Sequence, residues 1–100
     1  MNPQLIADLE AARALIDSPE KWAKDTLREY RHGIPCKWCA LGAVIQTLER
    51  SSPSREHETV RALEGVIGTY LVSWNDAPER THAEVLAAFD RAIANERSKA

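Results

Sequence analysis

Three features of this 100-residue chain predict an all-α fold, a compact bundle of about five helices with little or no sheet. Apolar residues recur at helical spacing over most of the sequence, helix start signals return along it, and nothing alternates apolar and polar residues with period two over a useful length. A single domain spanning 1–100 is expected, since this length buries one core but not a second.

The first helix has Asn2 as its cap and Pro3 at its first position, with Leu5, Ile6, Leu9, Ala12 and Ile16 in one apolar stripe ending near Asp17. Ser18-Pro19-Glu20 repeats the start signal with a capping serine, a proline and an acid in the positive first turn. It predicts a second helix to about His32, carrying Trp22, Thr26 and Tyr30 inward. Gly33-Ile34-Pro35 breaks the chain. A third helix is expected over roughly Lys37 to Arg50, with Leu41, Val44, Ile45 and Leu48 on one side, before the punctuation Ser51-Ser52-Pro53-Ser54. The fourth, roughly Arg55 to Ser73, is the longest and gathers Val60, Leu63, Val66, Ile67, Tyr70, Leu71 and Trp74 in one arc. Behind the capping box Thr81-x-x-Glu84, a fifth runs from about His82 to Glu96 with Val85, Leu86, Phe89, Ala92 and Ile93 inward. The tail 97–100 is expected to fray.

Gly65 and Gly68 fall inside the expected fourth helix, where each costs ~1 kcal/mol relative to alanine. With Ala62 and Thr69 they form a small-residue face, and Cys39, Gly42 and Ala43 form another on the third helix. Close helix packing within the chain is the expected reason for both, a partner helix the alternative.

The formal charge of −2 is near balance, with both signs interspersed, which argues against disorder and against wholesale electrostatic binding to nucleic acid. No apolar run approaches the roughly 20 residues that span a bilayer, and Met1-Asn2-Pro3-Gln4 lacks the regions of a signal peptide. A cytoplasmic protein without membrane contact is expected. The two cysteines, Cys36 and Cys39, are too close in sequence to act as a disulfide frame.

Leu15 to Trp22, then Cys39-Ala40-Leu41-Gly42-Ala43, then Trp74-Asn75-Asp76 followed by Arg80-Thr81 and Glu84-Val85, resemble the landmarks of an uncharacterised family of small bacterial and phage proteins. The resemblance runs from about Leu5 to Ile93, and Trp-Asn-Asp is its most specific part. It implies a bacterial or phage origin and transfers no catalytic residue. The chain departs from it in the compact stretch between Trp22 and Cys39.

Three constellations could carry chemistry. In His32-x3-Cys36-x2-Cys39 the cysteine pair could place two thiolates on one zinc with His32 as a third ligand, and His57 or His82 would have to supply the fourth. Cys36 beside Lys37 also admits a redox reading, and the plain alternative is a buried small Cys39 with a loop thiol at Cys36. Helical spacing in the expected second helix sets Lys21, Lys24, Arg28 and Arg31 along one side, with Lys37 beyond the turn, a basic stripe suited to an acidic protein patch and less to nucleic acid. Its alternative is a solvated face. The third is the turn holding Asn75, Asp76, Arg80 and His82, where Asp76 or His82 could act as a base and Arg80 as an anion clamp. A structural reading fits the same residues: Asn75 in a left-handed position ending the fourth helix, Asp76 bracing its own turn, Arg80 paired with Asp76, and His82 packed on the arc of Val85 and Phe89.

The chain carries no phosphate-binding glycine loop, nucleophile elbow or dense ligand set. The expected function is a small non-enzymatic helical module that binds a protein partner, such as a phage-type inhibitor or regulator of a host protein, without cofactor. The alternatives are a small enzyme or metal-binding protein using the Trp74-Asn75-Asp76 turn or the Cys36/Cys39 pair, and a weak nucleic-acid binder through the second helix.

Overall fold

Asn2 opens the first helix as its position predicts, accepting the Leu5 N–H on its side chain, and α1 runs over Pro3–Leu15. The computed structural model describes residues 2–99. After α1 come a single 3₁₀ turn at Pro19–Lys21, strands β1 (Arg28–Arg31) and β2 (Ile34–Trp38), and helices α2 (Ala40–Leu48), α3 (Pro53–Ile67), α4 (Leu71–Asn75) and α5 (His82–Arg97). Among the described residues five α-helices form, but not the expected five.

The second helix is the main correction. Ser18-Pro19-Glu20 does start helical turns, yet Trp22 is already extended at φ −100° and ψ 135°, so the start signal produces only one turn. A helix through Thr26 and Tyr30 would have little apolar surface to bury. The segment instead forms an antiparallel hairpin, pairing Arg28 with Trp38 and Arg31 with Ile34. His32 and Gly33 both have positive φ, 54° and 77°, which makes the connection a two-residue type I′ turn whose twist matches the strands. The register shifts between Glu29 and Tyr30, leaving Cys36 as the extra residue of a bulge. The fold is thus mostly helical but contains a two-stranded sheet where little or none was expected.

The long fourth helix is likewise two. Gly68, at φ 79°, caps α3 in the left-handed conformation and sends its N–H to the Glu64 carbonyl. Glu64 Oε2 then accepts the Leu71 N–H at 2.8 Å and starts α4. Gly65 and Gly68 are exposed, and among the described residues a methyl built on either meets nothing within 4 Å, so neither glycine seats a neighbouring backbone. Gly42 is the opposite case. A Cβ there would stand 1.8 Å from the Leu27 carbonyl oxygen, because the chain entering β1 lies directly on α2.

The core is built largely from the expected stripes, though Tyr70, placed in the arc of the expected fourth helix, stands at the cap position of α4 and is exposed. Leu9 and Ile16 of the α1 stripe, Val44 of α2, Leu63 of α3, Leu71 of α4, and Val85 and Phe89 of α5 are fully buried, each contributing about 1.5–3 kcal/mol by leaving water. Helix α1 packs on α2 and α5, and α3 packs on α2 and α5. Buried Asp8 is satisfied by Gln4 Nε2 and, in a two-point contact, by Arg55, which ties α1 to α3. The capping box forms as read, with Thr81 and Glu84 each bonded to the other's backbone N–H. At the tail, Arg97 is the last residue of α5 and pairs with Glu10, Lys99 pairs with Glu96, and Ala100 lies outside the described residues.

Candidate functional site

Asn75, the last residue of α4, is fully buried and uses its whole hydrogen-bonding capacity. Its Oδ1 accepts the Trp22 indole N–H at 2.7 Å and the Ala40 N–H at 3.0 Å, while Nδ2 donates to the Ala23 carbonyl at 3.0 Å and to Asp76 Oδ1 at 2.9 Å. The expected left-handed role is overturned, since among the described non-glycine residues only Asp25 and His32 have positive φ. One side chain instead fastens both ends of the hairpin segment, Trp22–Ala23 and Ala40, to α4.

Besides accepting from neighbouring Asn75, Asp76 reaches across the chain and does not brace its own backbone. Its Oδ1 accepts the Asp25 N–H at 3.0 Å and so braces the residue held at φ 65°. Arg80 does not pair with Asp76. Its Nε donates to the Trp74 carbonyl at 2.9 Å, its Nη1 to Glu84 at 3.1 Å, and its guanidinium lies 4.2 Å from the centre of the Trp74 ring. His82 is half-buried, its ring 6.0 Å from that of Trp22. Its Nε2 lies 2.6 Å from the Ile16 carbonyl, which can only accept, so Nε2 carries the proton. The four residues do come together at one turn, but each is engaged with the protein itself.

The basic stripe dissolves with its helix. Lys21 pairs with Asp17 at 3.4 Å. Lys24 lies over the Trp22 ring and donates to the Ala77 and Pro78 carbonyls, closing the turn beyond α4. Arg28 donates to Gln46 on α2 at 2.8 Å and stands 4.0 Å from Glu49. Arg31 and Lys37 remain as hairpin cations, Arg31 exposed near the tip and Lys37 half-buried.

His32, Cys36 and Cys39 are also separated in role. His32 sits in the turn, Cys36 in the bulge, and Cys39 caps α2, its Sγ accepting the Gly42 N–H at 3.3 Å. Burial raises the Cys39 thiol above its ordinary pKa, which outweighs the lowering by the Gly42 hydrogen bond and keeps it protonated. Both cysteines are free, and among the described residues no three His, Cys, Asp or Glu side chains are grouped to hold a metal ion. An open groove between α1 and α5 is walled by the ion pairs Arg13–Asp90 and Glu10–Arg97, whose charges neutralise one another.

The sequence reading missed the hairpin's outward residues. Tyr30 and Ile34 are 58% and 67% exposed, large for apolar side chains, and the two-residue His32-Gly33 turn was the signal that could have exposed them. It also missed Gln46, whose Oε1 receives both Arg28 and the Trp38 indole and seats the base of the hairpin on α2.

The model of a family described as "Family of unknown function (DUF6197)" matches residues 1–95. The chain belongs to that family. Its uncharacterised status agrees with what the landmarks implied. No curated protein and no solved structure matches the chain. Among the described residues of this family member, no helix is long and apolar enough to cross a membrane.

Proposed function

We propose that this protein is a non-enzymatic binding module that acts on a protein partner through the β1–β2 hairpin. One contrast carries the reading. At the Trp74-Asn75-Asp76 turn the side chains suited to chemistry are occupied inside the protein, Asn75 with four hydrogen bonds and Asp76, Arg80 and His82 with contacts to other chain segments. A catalytic base or clamp has to meet a substrate. At the hairpin tip, exposed Ile34 lies across from Arg31 on one face, with Lys37 further down β2, and exposed Tyr30 stands on the other face.

Exposed Ile34 flanked by cations on its own face suits a partner bearing an acidic patch, because the charge steers encounter while the apolar contact slows release. Of the five cations first considered, Arg31 and Lys37 take this role. Lys24 and Arg28 tie the hairpin segment to the body, and Lys21 pairs locally with Asp17. A cytoplasmic regulator or inhibitor of a larger protein, of bacterial or phage origin, is the form this function takes.

Site-specific photo-cross-linking tests it. A photoreactive side chain in place of Ile34 should capture one acidic protein from a lysate of the source organism, and Arg31→Glu with Lys37→Glu should abolish capture. The same probe at exposed Ala11 on α1 is the control. Equal capture from both positions would overturn the reading, as would an activity lost in Asp76→Asn at unchanged stability.

A further inference from the structure

We infer that the outer edge of β1 pairs with the β1 edge of a second copy of this chain, antiparallel about a two-fold axis at Tyr30, joining two hairpins into one four-stranded sheet. This goes beyond the partner reading and adds the backbone edge of β1 to the side chains Glu29, Tyr30 and Arg31. The sheet has two edges, and they differ. Along β2 the edge is covered at one end, where the Ala23 N–H reaches the Trp38 carbonyl and Trp22 bridges Trp38. Among the described residues, the only strand beside β1 is β2.

Hairpin register fixes which backbone groups face outward. The Leu27 carbonyl accepts the Cys39 N–H, and Arg31 faces Ile34 across the two-residue turn, so residues 27 and 31 of this strand direct their backbone groups toward β2. Alternation then turns Arg28 and Tyr30 outward. The Arg28 carbonyl is met there by the Thr26 hydroxyl at 3.0 Å, which bears out the direction. The N–H and C=O of Tyr30 face solvent at the middle of the edge, and an unpaired pair of this kind is a template for another strand.

Charge identifies the strand that fits. With the axis at Tyr30, the two tyrosines exchange N–H···O=C bonds and pair their rings on one face, while Glu29 of each copy falls opposite Arg31 of the other. These flanking positions are the non-hydrogen-bonded ones, where side chains come closest. Glu29 and Arg31 are both exposed, and among the described residues neither has a side-chain hydrogen bond or ion pair of its own. Moving the axis to Glu29 would set two carboxylates face to face. An acidic strand from another protein would meet Glu29 as a like charge, whereas Arg28-Glu29-Tyr30-Arg31 complements itself when reversed.

Sedimentation of the full chain over rising concentration should show a reversible monomer–dimer equilibrium. Glu29→Arg alone and Arg31→Glu alone each set like charges together and should weaken dimerisation at least tenfold. An equimolar mixture of these two variants should dimerise again as a heterodimer, and so should the Glu29→Arg, Arg31→Glu double variant. A wild-type chain that stays monomeric at millimolar concentration, single variants that dimerise as the wild type does, or a mixture that fails to recover would overturn the pairing. A monomeric protein that still cross-links an acidic partner through position 34 would sink the dimer and leave the partner reading standing.

Discussion

Asn75 Oδ1 accepts the Trp22 indole N–H at 2.7 Å from 53 positions away in the chain, and the same oxygen takes the Ala40 N–H. The hairpin between those two donors therefore has both its ends registered by one buried amide. Its position relative to α4 depends on that side chain, as its seat on α2 depends on Gln46.

Asn75→Ala should destabilise the protein by about 3–5 kcal/mol, because it leaves two buried donors and the Ala23 carbonyl without partners. Trp22→Phe removes a single donor while Asn75 keeps its other contacts, and should cost less. Urea unfolding of both variants and of the double variant measures the coupling. Additive effects would show that the two side chains do not act as a unit.

The glycines of α2 and α3 should respond in opposite directions. Gly42→Ala drives a methyl into the Leu27 carbonyl and should destabilise by more than about 3 kcal/mol, the upper range for overpacking, since the obstacle is backbone. Gly65→Ala meets open space in a helix interior and should stabilise by about 0.5–1 kcal/mol. Thermal melting of the pair checks the sign of each.

Loss of the helix cap and acid titration should converge at the start of α5. Thr81→Ala should cost about 1 kcal/mol. Hydrogen bonds from the Thr81 backbone and side chain hold the Glu84 carboxyl below the usual carboxylate range, and the Lys99 contact does the same for Glu96. A depressed carboxyl contributes stability that is complete above its unfolded pKa and is lost as pH falls through its folded one. Stability should therefore decline on the acid side, below the ordinary glutamate range, and Thr81→Ala should flatten that decline. An unchanged pH profile in the variant would count against the cap as the cause.

Thiol alkylation of the folded protein should separate the cysteines. Cys39, buried and held neutral, should react only on unfolding, while half-buried Cys36 should be modified in the native state. Mass spectrometry of peptides after a brief iodoacetamide pulse distinguishes them. Faster labelling of Cys39 would contradict its burial.

What could be read in the sequence was what is decided locally. Thr81 and Glu84 lie three residues apart and specify a helix start by themselves, and Asn2 with Pro3 does the same for α1. Gly68 was legible as an anomaly, but its two possible meanings, a packing notch and a left-handed cap, differ only in whether the helix continues. The hairpin was hidden because both faces of β1 meet solvent, so Arg28-Glu29-Tyr30-Arg31 carries no apolar alternation. Its stability is tertiary, drawn from Asn75, Gln46 and the Leu27–Gly42 contact. The density of polar residues marks the candidate turn in the sequence, but its bonding was not legible there, since the partners of Asn75, Asp76 and His82 lie in distant segments.

Glu64 closes α3 with its carbonyl and opens α4 with its carboxylate, so the corner at Gly68 is pinned on both sides by one residue. Such a corner acts as a bracket and not as a hinge. Helix α4 is a strut of fixed pitch standing on α3, and the height at which it delivers Asn75 sets how far the hairpin projects from the body. Lengthening the corner by one residue would leave every helix intact and still mis-set that reach, uncoupling the arm from the frame that aims it.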